Sequence, residues 1–320
     1  MRDIRIAAAQ FEHRDGDKDF NLGRIDSLTA RAVAAGAEVV SFHECSISAY
    51  SYLQSATREE LMDVAEAVPG GPACRALHEI AVRHGVPVLA GLVERDGEEL
   101  FNTYVCMTPE GPVARFRKIH AFLNPHISSG NEFCVFDLLG CRVGILICYD
   151  NNLVENVRIT ALMGAEIVFM PHVTGCLPSV MPGRGTVDPQ LWTDRDTDPV
   201  ALAQELNGPK GRGWLMRWLP ARAYENGIYA VFSNPIGIDD GQVRNGNAMV
   251  LDPFGEVISE CHQLGDDVCV GLCTGEKVAV SSGQRYLKAR RPDLYNRLVQ
   301  PASEPPVTSP GWQRKRPADG

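Results

Sequence analysis

The chain has 320 residues, of which 44% are hydrophobic and 22% charged, and it carries a formal net charge of −9. This composition is typical of a globular protein with a large core, and the negative charge argues against affinity for nucleic acid or an anionic membrane surface. We see no apolar run long enough to span a bilayer and no signal peptide, and ten scattered cysteines fit a reducing compartment. We therefore expect a cytoplasmic protein.

The first part of the chain alternates strands and helices. Short apolar runs predict strands, and apolar residues three or four positions apart predict helices that stop at glycine. Asp96-Gly97 and Pro109-Glu110-Gly111 are turn sequences, so they predict hairpins between the later strands. The predicted strands cover residues 4–9, 38–42, 86–93, 100–107 and 113–118, and the predicted helices cover residues 21–35 and 72–84.

The middle of the chain, residues 140–152, holds a cysteine between a predicted strand and a predicted helix. Residues 143–147 form the short apolar run of a strand buried on both faces, and Asn151 or Asn152 can cap the following helix. Cys148 therefore lies where α/β enzymes place a nucleophile, because the turn exposes the side chain and a helix N-terminus favours the thiolate. The alternative is that Cys148 is a small hydrophobic residue of the core.

The second half repeats this mixture around one long connection, residues 174–213, which is rich in Pro, Gly and Asp. We expect it to cover the substrate entrance and to contain one short helix that is capped by Asp198, begins at Pro199 and ends before Gly208. A surface excursion or an oligomer contact is the alternative. A helix over residues 214–226 follows, and the predicted strands cover residues 167–170, 228–233, 248–251, 256–259 and 268–273.

This order predicts sheets covered by helices, in one domain over residues 1–300. Residues 301–320 contain five prolines and no periodicity, so they are predicted to be a flexible tail.

Three polar residues stand just past predicted strands: Glu44, Lys118 and Cys148. Open α/β sheets bind ligands outside the carboxyl ends of their strands, so these side chains can meet in one crevice. A thiolate can attack a carbonyl carbon, a glutamate can take the thiol proton, and an ammonium can stabilise the oxyanion. Taken separately, the residues could instead be a cap, a solvated strand end and a core side chain.

Five motifs give the chain a resemblance to the nitrilase superfamily of carbon–nitrogen hydrolases, over about residues 3–295. The resemblance implies a four-layer α-β-β-α sandwich, no metal or organic cofactor, and assembly into homodimers or larger homo-oligomers. The motifs are Ile6–Gln10, Phe42–Glu44, Arg117–His120, Gly140–Asp150 and Arg222–Gly227.

The resemblance also implies roles for single residues. Glu44 would be the general base, Lys118 would stabilise the tetrahedral intermediate, and Cys148 would be the nucleophile. The backbone N–H of Tyr149 would complete the oxyanion hole. Many members carry a second glutamate beyond the lysine, and here Glu132 is the candidate, with a loop cap as its alternative role.

Other positions depart from the family or have a less defined role. His43 replaces the proline that commonly precedes the catalytic glutamate. His172, which follows a strand, is expected to shape the substrate pocket.

A metal site is the competing interpretation, because His43, His120, His172 and Cys148 could approach one crevice. None of these residues shows the short helical spacing of known zinc sites, and Lys118 would repel a dication. We therefore predict a site without metal.

The expected reaction is hydrolysis of a small amide or an N-carbamoyl compound through a cysteine acyl-enzyme. The sequence Cys148-Tyr-Asp resembles the amidase and carbamoylase branches, whereas nitrile-cleaving members more often have Trp-Glu after the cysteine. Nitrile hydrolysis, acyl transfer to an amine, and a non-catalytic binding module on the same scaffold are the alternatives. We expect a small-molecule substrate and no nucleic-acid or membrane partner.

Overall fold

The computed structural model describes residues 1–301; most of the predicted tail, residues 302–320, lies outside the described residues. Its strands are β1 (Ile4–Gln10), β2 (Val39–Ser41), β3 (Val88–Asp96), β4 (Glu99–Thr108), β5 (Gly111–Arg117), β6 (Ile127–Ser128), β7 (Cys134–Leu138), β8 (Cys141–Ile145), β9 (Ile167–Pro171), β10 (Tyr229–Ser233), β11 (Ile236–Asp239), β12 (Gln242–Asn245), β13 (Met249–Leu251), β14 (Val257–Glu260) and β15 (Asp267–Cys273). Its helices are α1 (Lys18–Ala34), α2 (Arg58–Val64), α3 (Pro72–His84), α4 (Val154–Leu162), α5 (Pro189–Thr193), α6 (Pro199–Asn207), α7 (Arg212–Leu215), α8 (Leu219–Asn226), α9 (Gly275–Val280) and α10 (Ser282–Lys288).

Two mixed sheets share one plan. The first sheet has the order β15-β1-β2-β3-β4-β5, with β6 added beside β4, and the second has the order β14-β13-β10-β9-β8-β7. In each sheet three parallel strands, β1-β2-β3 or β8-β9-β10, occupy the centre, and the strands outside them pair antiparallel, except that the two-residue β6 runs parallel to β4. Parallel strands need helical crossovers, which explains why α1, α3 and α4 each connect two neighbouring central strands.

The strand pattern places one core between the sheets and another outside the first sheet. Along β1, Ile6 and Ala8 belong to the core shared by the two sheets, whereas Ala7 and Ala9 pack with α1 and α3. This alternation follows from the two-residue period of a strand. Helices α4 and α8 contribute to the core around the second sheet. The result is the four-layer α-β-β-α sandwich that the sequence predicted.

Most predicted elements are present, but the helix expected over residues 214–226 is divided. The structure has α7 and then α8, with Pro220 in the first turn of α8. Proline lacks an N–H and clashes with the preceding turn of a helix, so it begins a new helix instead of continuing the old one.

Two hairpins, the short strand β6 and the helices α2, α5, α9 and α10 were not predicted. β7 joins β8 through Leu139-Gly140, and β11 joins β12 through Asp240-Gly241; all four turn residues have positive φ. Asp-Gly is a recognised hairpin sequence, so the second turn could have been found from the sequence. Helix α2 carries a capping box between Thr57 and Glu60, which is also a readable signal.

Within residues 1–301, no helix is long and apolar enough to cross a membrane.

Candidate active site

Glu44 lies in a tight turn that follows β2 at the centre of the first sheet. The turn packs against β3 so closely that a Cβ atom on Gly91 would stand 2.4 Å from the backbone nitrogen of Cys45. The Ile47 N–H donates to the Gly91 carbonyl at 2.9 Å and closes the turn onto the strand. Cys45 has φ of 48°, a conformation that costs energy and persists only when its surroundings fix it. The Glu44 side chain is fully buried.

Lys118 directly follows β5 and forms a buried ion pair with Glu44. Its Nζ donates to Glu44 Oε1 at 2.6 Å, and the two side chains are 2% and 0% exposed. Asn102, on the neighbouring β4, fixes both partners. Its amide donates to the same Glu44 oxygen at 2.6 Å, and its backbone carbonyl accepts the Lys118 N–H at 2.8 Å. A buried charge pair with such additional hydrogen bonds holds both groups in one geometry.

Cys148 comes from the second sheet and begins a 3-10 turn, Cys148–Asn152, after β8. Its φ of 50° is a left-handed conformation, which is rare outside glycine and typical of strained functional turns. The turn is anchored from below, because the Asn151 amide donates to the Leu146 carbonyl at 2.8 Å and bonds to His172 Nε2 at 3.1 Å. Arg222 of α8 donates to the carbonyls of Asn151 and Asn152 at 3.0 and 2.9 Å.

Asp150 connects the nucleophile turn to the segment after Lys118. Its buried carboxylate accepts the backbone N–H of Ile119 at 3.2 Å and of His120 at 2.9 Å, and it bonds to His120 Nδ1 at 2.7 Å. Because Lys118 belongs to the first sheet and Cys148 to the second, these bonds tie the two halves of the site together.

The charges around Cys148 keep its thiol protonated at rest. Burial, followed by the charge of Glu44, raises its pKa to about 12, while Lys118 and the Val173 carbonyl act in the opposite direction. Glu44 also contributes as a hydrogen-bond partner of the thiol. This outcome differs from the expected helix-stabilised thiolate, because α4 begins only at Val154, after the intervening 3-10 turn.

Lys118 is held as a cation. Burial alone would lower its pKa, but the neighbouring acidic groups, led by Glu44 and followed by Tyr50 and Cys148, raise it well above the ordinary value. The Nζ atom also lies over the rings of Tyr50 and Phe122, 5.6 and 5.2 Å from their centroids. The site therefore offers a fixed positive charge beside a protonated thiol and a carboxylate.

A cavity of about 380 Å³ opens onto Cys148. Its wall includes five aromatic residues and two arginines. The backbone N–H of Tyr149 belongs to the first turn after the nucleophile, where helical geometry provides no intrahelical acceptor. The aromatic residues and arginines of the wall are Tyr50, Phe122, Tyr149, Trp214, Trp218, Arg184 and Arg222.

His172 and Glu132 have other surroundings. His172 does not line the cavity; its ring lies beneath the nucleophile turn, bonded to Asn151 and packed 5.5 Å from Trp218. Burial and Lys118 lower its pKa well below the ordinary value, so the ring is neutral. Glu132 is exposed and lines a separate groove with Arg115. Glu132 is not among the residues that line the cavity at Cys148.

The residues of the competing metal interpretation are dispersed. Cys148 is beside Glu44, His120 is bonded to Asp150, and His172 is bonded to Asn151. In the described part of the chain, the one cluster with metal-like spacing is His13, Asp15 and Asp239, which does not include Cys148.

His43 belongs to a buried polar network behind the catalytic turn. Its Nε2 bonds to His13 Nδ1 at 2.9 Å, and His13 Nε2 bonds to Asp239 at 3.1 Å. Arg244 and the Ser51 hydroxyl also donate to Asp239, at 2.9 and 2.5 Å. Burial and His13 lower the pKa of His43 well below its ordinary value. Nothing in the sequence signalled this network, because its members are far apart in the chain.

Comparison with known proteins identifies the family. Residues 5–279 match the family described as Carbon-nitrogen hydrolase. The chain belongs to this family. An (R)-stereoselective amidase from Pseudomonas sp. is 32% identical to it over 90% of this chain and 92% of the relative. A nitrilase from Pyrococcus abyssi (strain GE5 / Orsay) is 28% identical over 92% of this chain and 100% of the relative.

A solved structure shows the same fold. The nitrilase-superfamily amidase from Nesterenkonia AN1, in a cysteine-to-alanine form, has a TM-score of 0.68 and 23% identity, covering 92% of this chain and 97% of that one.

Sequence reasoning about this carbon–nitrogen hydrolase missed Asn102 and most of the cavity wall, including Arg184. Asn102 lies in the interior of a long strand, where an amide is not distinguished from other polar residues. Arg184 lies in the long connection, whose conformation cannot be read from residue periodicity.

Proposed function

We propose that this enzyme hydrolyses the C–N bond of a small amide or N-carbamoyl compound, with Cys148 as the nucleophile. The observation that carries the proposal is the buried Glu44–Lys118 pair beside the Cys148 thiol, which lines a cavity of about 380 Å³. The 32% identity to a protein named an amidase supports an amide as the substrate.

The acylation step follows from the charges of the site. Cys148 Sγ attacks the carbonyl carbon while its proton passes to Glu44, since the thiol is not ionised beforehand. The oxyanion forms between the Lys118 ammonium and the Tyr149 N–H, which are fixed before the reaction. The C–N bond then breaks, Glu44 returns the proton to the departing nitrogen, and ammonia or an amine leaves a thioester on Cys148.

Deacylation uses the same groups. Glu44 takes a proton from water, the resulting hydroxide adds to the thioester carbonyl, and Lys118 again stabilises the oxyanion. The C–S bond breaks, the thiol regains its proton, and a carboxylic acid is released and ionises.

Ammonia release from short amides, N-carbamoyl amino acids and nitriles tests the proposal. We expect turnover of at least one amide or N-carbamoyl compound, no turnover by Cys148→Ala, and an acyl adduct on Cys148 by mass spectrometry during the reaction. Turnover that persists in Cys148→Ala, or an adduct on another cysteine, would overturn the assignment.

Nitrile hydrolysis is the second candidate, and the similarity to a protein named a nitrilase favours it. The same assay separates the two, because a nitrilase consumes nitriles and releases the carboxylate without accepting the corresponding amide as its preferred substrate.

Homo-oligomer assembly and a cytoplasmic location are part of the same proposal. Exposed apolar side chains on α4, including Val154 at 45% and Leu162 at 43%, support an interface there. The free state of all ten cysteines supports a reducing compartment. Light scattering measures the assembly and cell fractionation the location.

A further inference from the structure

Arg184 is a cation of the active-site cavity that has no acidic partner within residues 1–301. The other arginine of the cavity wall, Arg222, is fully used: it holds the nucleophile turn and pairs with Glu225 at 3.3 Å. Arg184 forms no ion pair with any carboxylate in residues 1–301, and its Nε is buried without a hydrogen-bond partner there. Guanidinium groups that are partly buried are normally paired, so this one is available for a ligand.

The position of the guanidinium is fixed by an aromatic ring. Its central carbon lies 3.8 Å from the centroid of the Trp214 ring, which is stacking distance. A guanidinium stacked through its face keeps its N–H edges free, and these edges match the two oxygens of a carboxylate. Burial lowers the pKa of Arg184 from its ordinary value; Cys176 acts in the opposite direction and Arg217 adds a smaller decrease, so an incoming anion would favour the charged guanidinium.

The cavity between Arg184 and Cys148 is suited to a short carbon chain. Val173, Leu177 and Trp218 form apolar walls there, and the chain offers no second unpaired cation among the lining residues that the structure describes. A ligand that contacts both of these lining residues favourably carries a carbonyl for Cys148 and an anionic group for Arg184.

We propose that Arg184 determines specificity by binding a substrate carboxylate, so that the preferred substrates are amides with a carboxylate a few bonds from the scissile C–N bond. Two classes of substrate carry a carboxylate at such a distance from a scissile C–N bond: monoamides of dicarboxylic acids and N-carbamoyl amino acids. The assignment rests on the proposed function, since it takes the substrate to be an amide that reacts at Cys148.

Binding to the inactive Cys148→Ala enzyme tests Arg184 without turnover. Glutaramate is compared with pentanamide, which has the same chain length and no carboxylate, and N-carbamoylglycine is compared with N-propylurea. The ratio within each pair measures what the carboxylate contributes, and the pair with the larger ratio identifies the source. Calorimetry gives the dissociation constants.

We expect Arg184→Met to weaken binding of the preferred anionic ligand by about 10- to 100-fold, the range for a lost charge-assisted hydrogen-bonded pair. Its neutral partner should bind equally well to both proteins. Arg184→Lys should lose less, because it keeps the charge without the planar fork. Arg217→Met is the matched control: it removes the same charge from an exposed neighbour outside the cavity and should leave the ratio unchanged.

Equal weakening of anionic and neutral ligands in Arg184→Met would overturn the proposal and assign Arg184 a purely structural contact with Trp214. A ratio near one between the dissociation constants of the neutral and the anionic ligand, measured with Arg184 intact, would overturn the proposal as well. Turnover of the four compounds by the enzyme with Cys148 is measured separately. If none is hydrolysed while the binding ratio depends on Arg184, the proposed reaction fails and the carboxylate site stands.

Discussion

Glu44 and Lys118 act on the Cys148 thiol in opposite directions, although they are bonded to each other. Glu44 raises the thiol pKa and Lys118 lowers it, while burial adds a larger increase. A thiol in such surroundings reacts by passing its proton to a base during the attack, and this gives each charged residue a separable function.

Loss of either residue should slow acylation. Glu44→Gln keeps the shape but removes the base, so we expect a decrease of about 10²–10⁴-fold in the acylation rate, the usual contribution of acid–base catalysis. Lys118→Met should cost at least the ~10²–10³-fold typical of one oxyanion donor. Single-turnover measurement of the released ammonia gives the rate. Full activity in either variant would exclude that residue from the reaction.

The pH dependence of alkylation at Cys148 should separate the two residues. Since Glu44 raises the thiol pKa, Glu44→Gln should lower it, and iodoacetamide should react at lower pH than in the unmodified enzyme. Since Lys118 lowers the pKa, Lys118→Met should raise it, and the reaction should require higher pH. Mass spectrometry of the Cys148 peptide over a pH series measures both. Shifts of the same sign in the two variants would contradict this placement.

Glu44, Lys118 and Cys148 could be proposed as one group from the sequence because each follows a predicted strand. The residues that form hydrogen bonds around this group could not be found in the same way. Asn102 lies inside β4, and its contact with Glu44 depends on the pairing of three strands rather than on a local pattern. His13 and His43 meet across thirty residues of chain, a distance at which residue spacing carries no information.

At the level of elements, capping residues decide how well the predicted and observed bounds agree. Predicted and observed bounds agree best where capping residues are present, as for α3, which ends at Gly85, and α6, which begins after Asp198. They agree least near Pro220, where a continuous apolar pattern concealed the break between α7 and α8. Apolar periodicity indicates which face of a segment is buried. It does not indicate whether the backbone hydrogen bonds of a helix continue through that segment.

Gly91→Ala should disturb the contact between the Glu44 turn and β3, on which the position of Glu44 depends. The added methyl group would stand 2.4 Å from the Cys45 nitrogen, so the turn or the strand must move. We expect a loss of about 1–3 kcal/mol in the free energy of unfolding, typical of overpacking, together with a lower kcat because Glu44 shifts. Denaturant unfolding and steady-state kinetics measure the two effects.

Gly23→Ala is the matched control for that substitution. Gly23 is exposed in α1, and a methyl group there would contact nothing within 4 Å. Alanine in a helix interior should increase stability by about 0.5–1 kcal/mol and leave kcat unchanged. If Gly91→Ala behaved like Gly23→Ala, the close packing of the Glu44 turn on β3 would be refuted.

At the scale of the whole molecule, the candidate active site is formed by residues from both sheets. Glu44 and Lys118 come from the first sheet and Cys148 from the second, so the proposed reaction depends on the relative position of the sheets. The four-layer arrangement could be predicted from the order of elements and the family motifs. The hydrogen bonds between the two sheets could not be predicted, because they join residues nearly two hundred positions apart.

One such bond connects the ends of two central strands. The Ser233 hydroxyl at the end of β10 donates to the Ser41 carbonyl at the end of β2, at 2.9 Å, and lies 3.1 Å from the Ser41 hydroxyl. Both serines are fully buried, and Ser41 precedes Glu44 by three residues. Removal of the bond should therefore affect both stability and the geometry of the base.

We expect Ser233→Ala to reduce the free energy of unfolding by about 1 kcal/mol, the net value of a typical hydrogen bond, with a cost of up to about 3 kcal/mol if Ser41 is left unsatisfied. The value of kcat should fall while the pKa for alkylation of Cys148 stays near that of the parent enzyme, because no charge is removed. Ser27→Ala, which deletes an exposed hydroxyl bonded within α1, should change neither quantity. An unchanged kcat in a destabilised Ser233→Ala enzyme would show that the Glu44 turn holds its position without this link between the sheets.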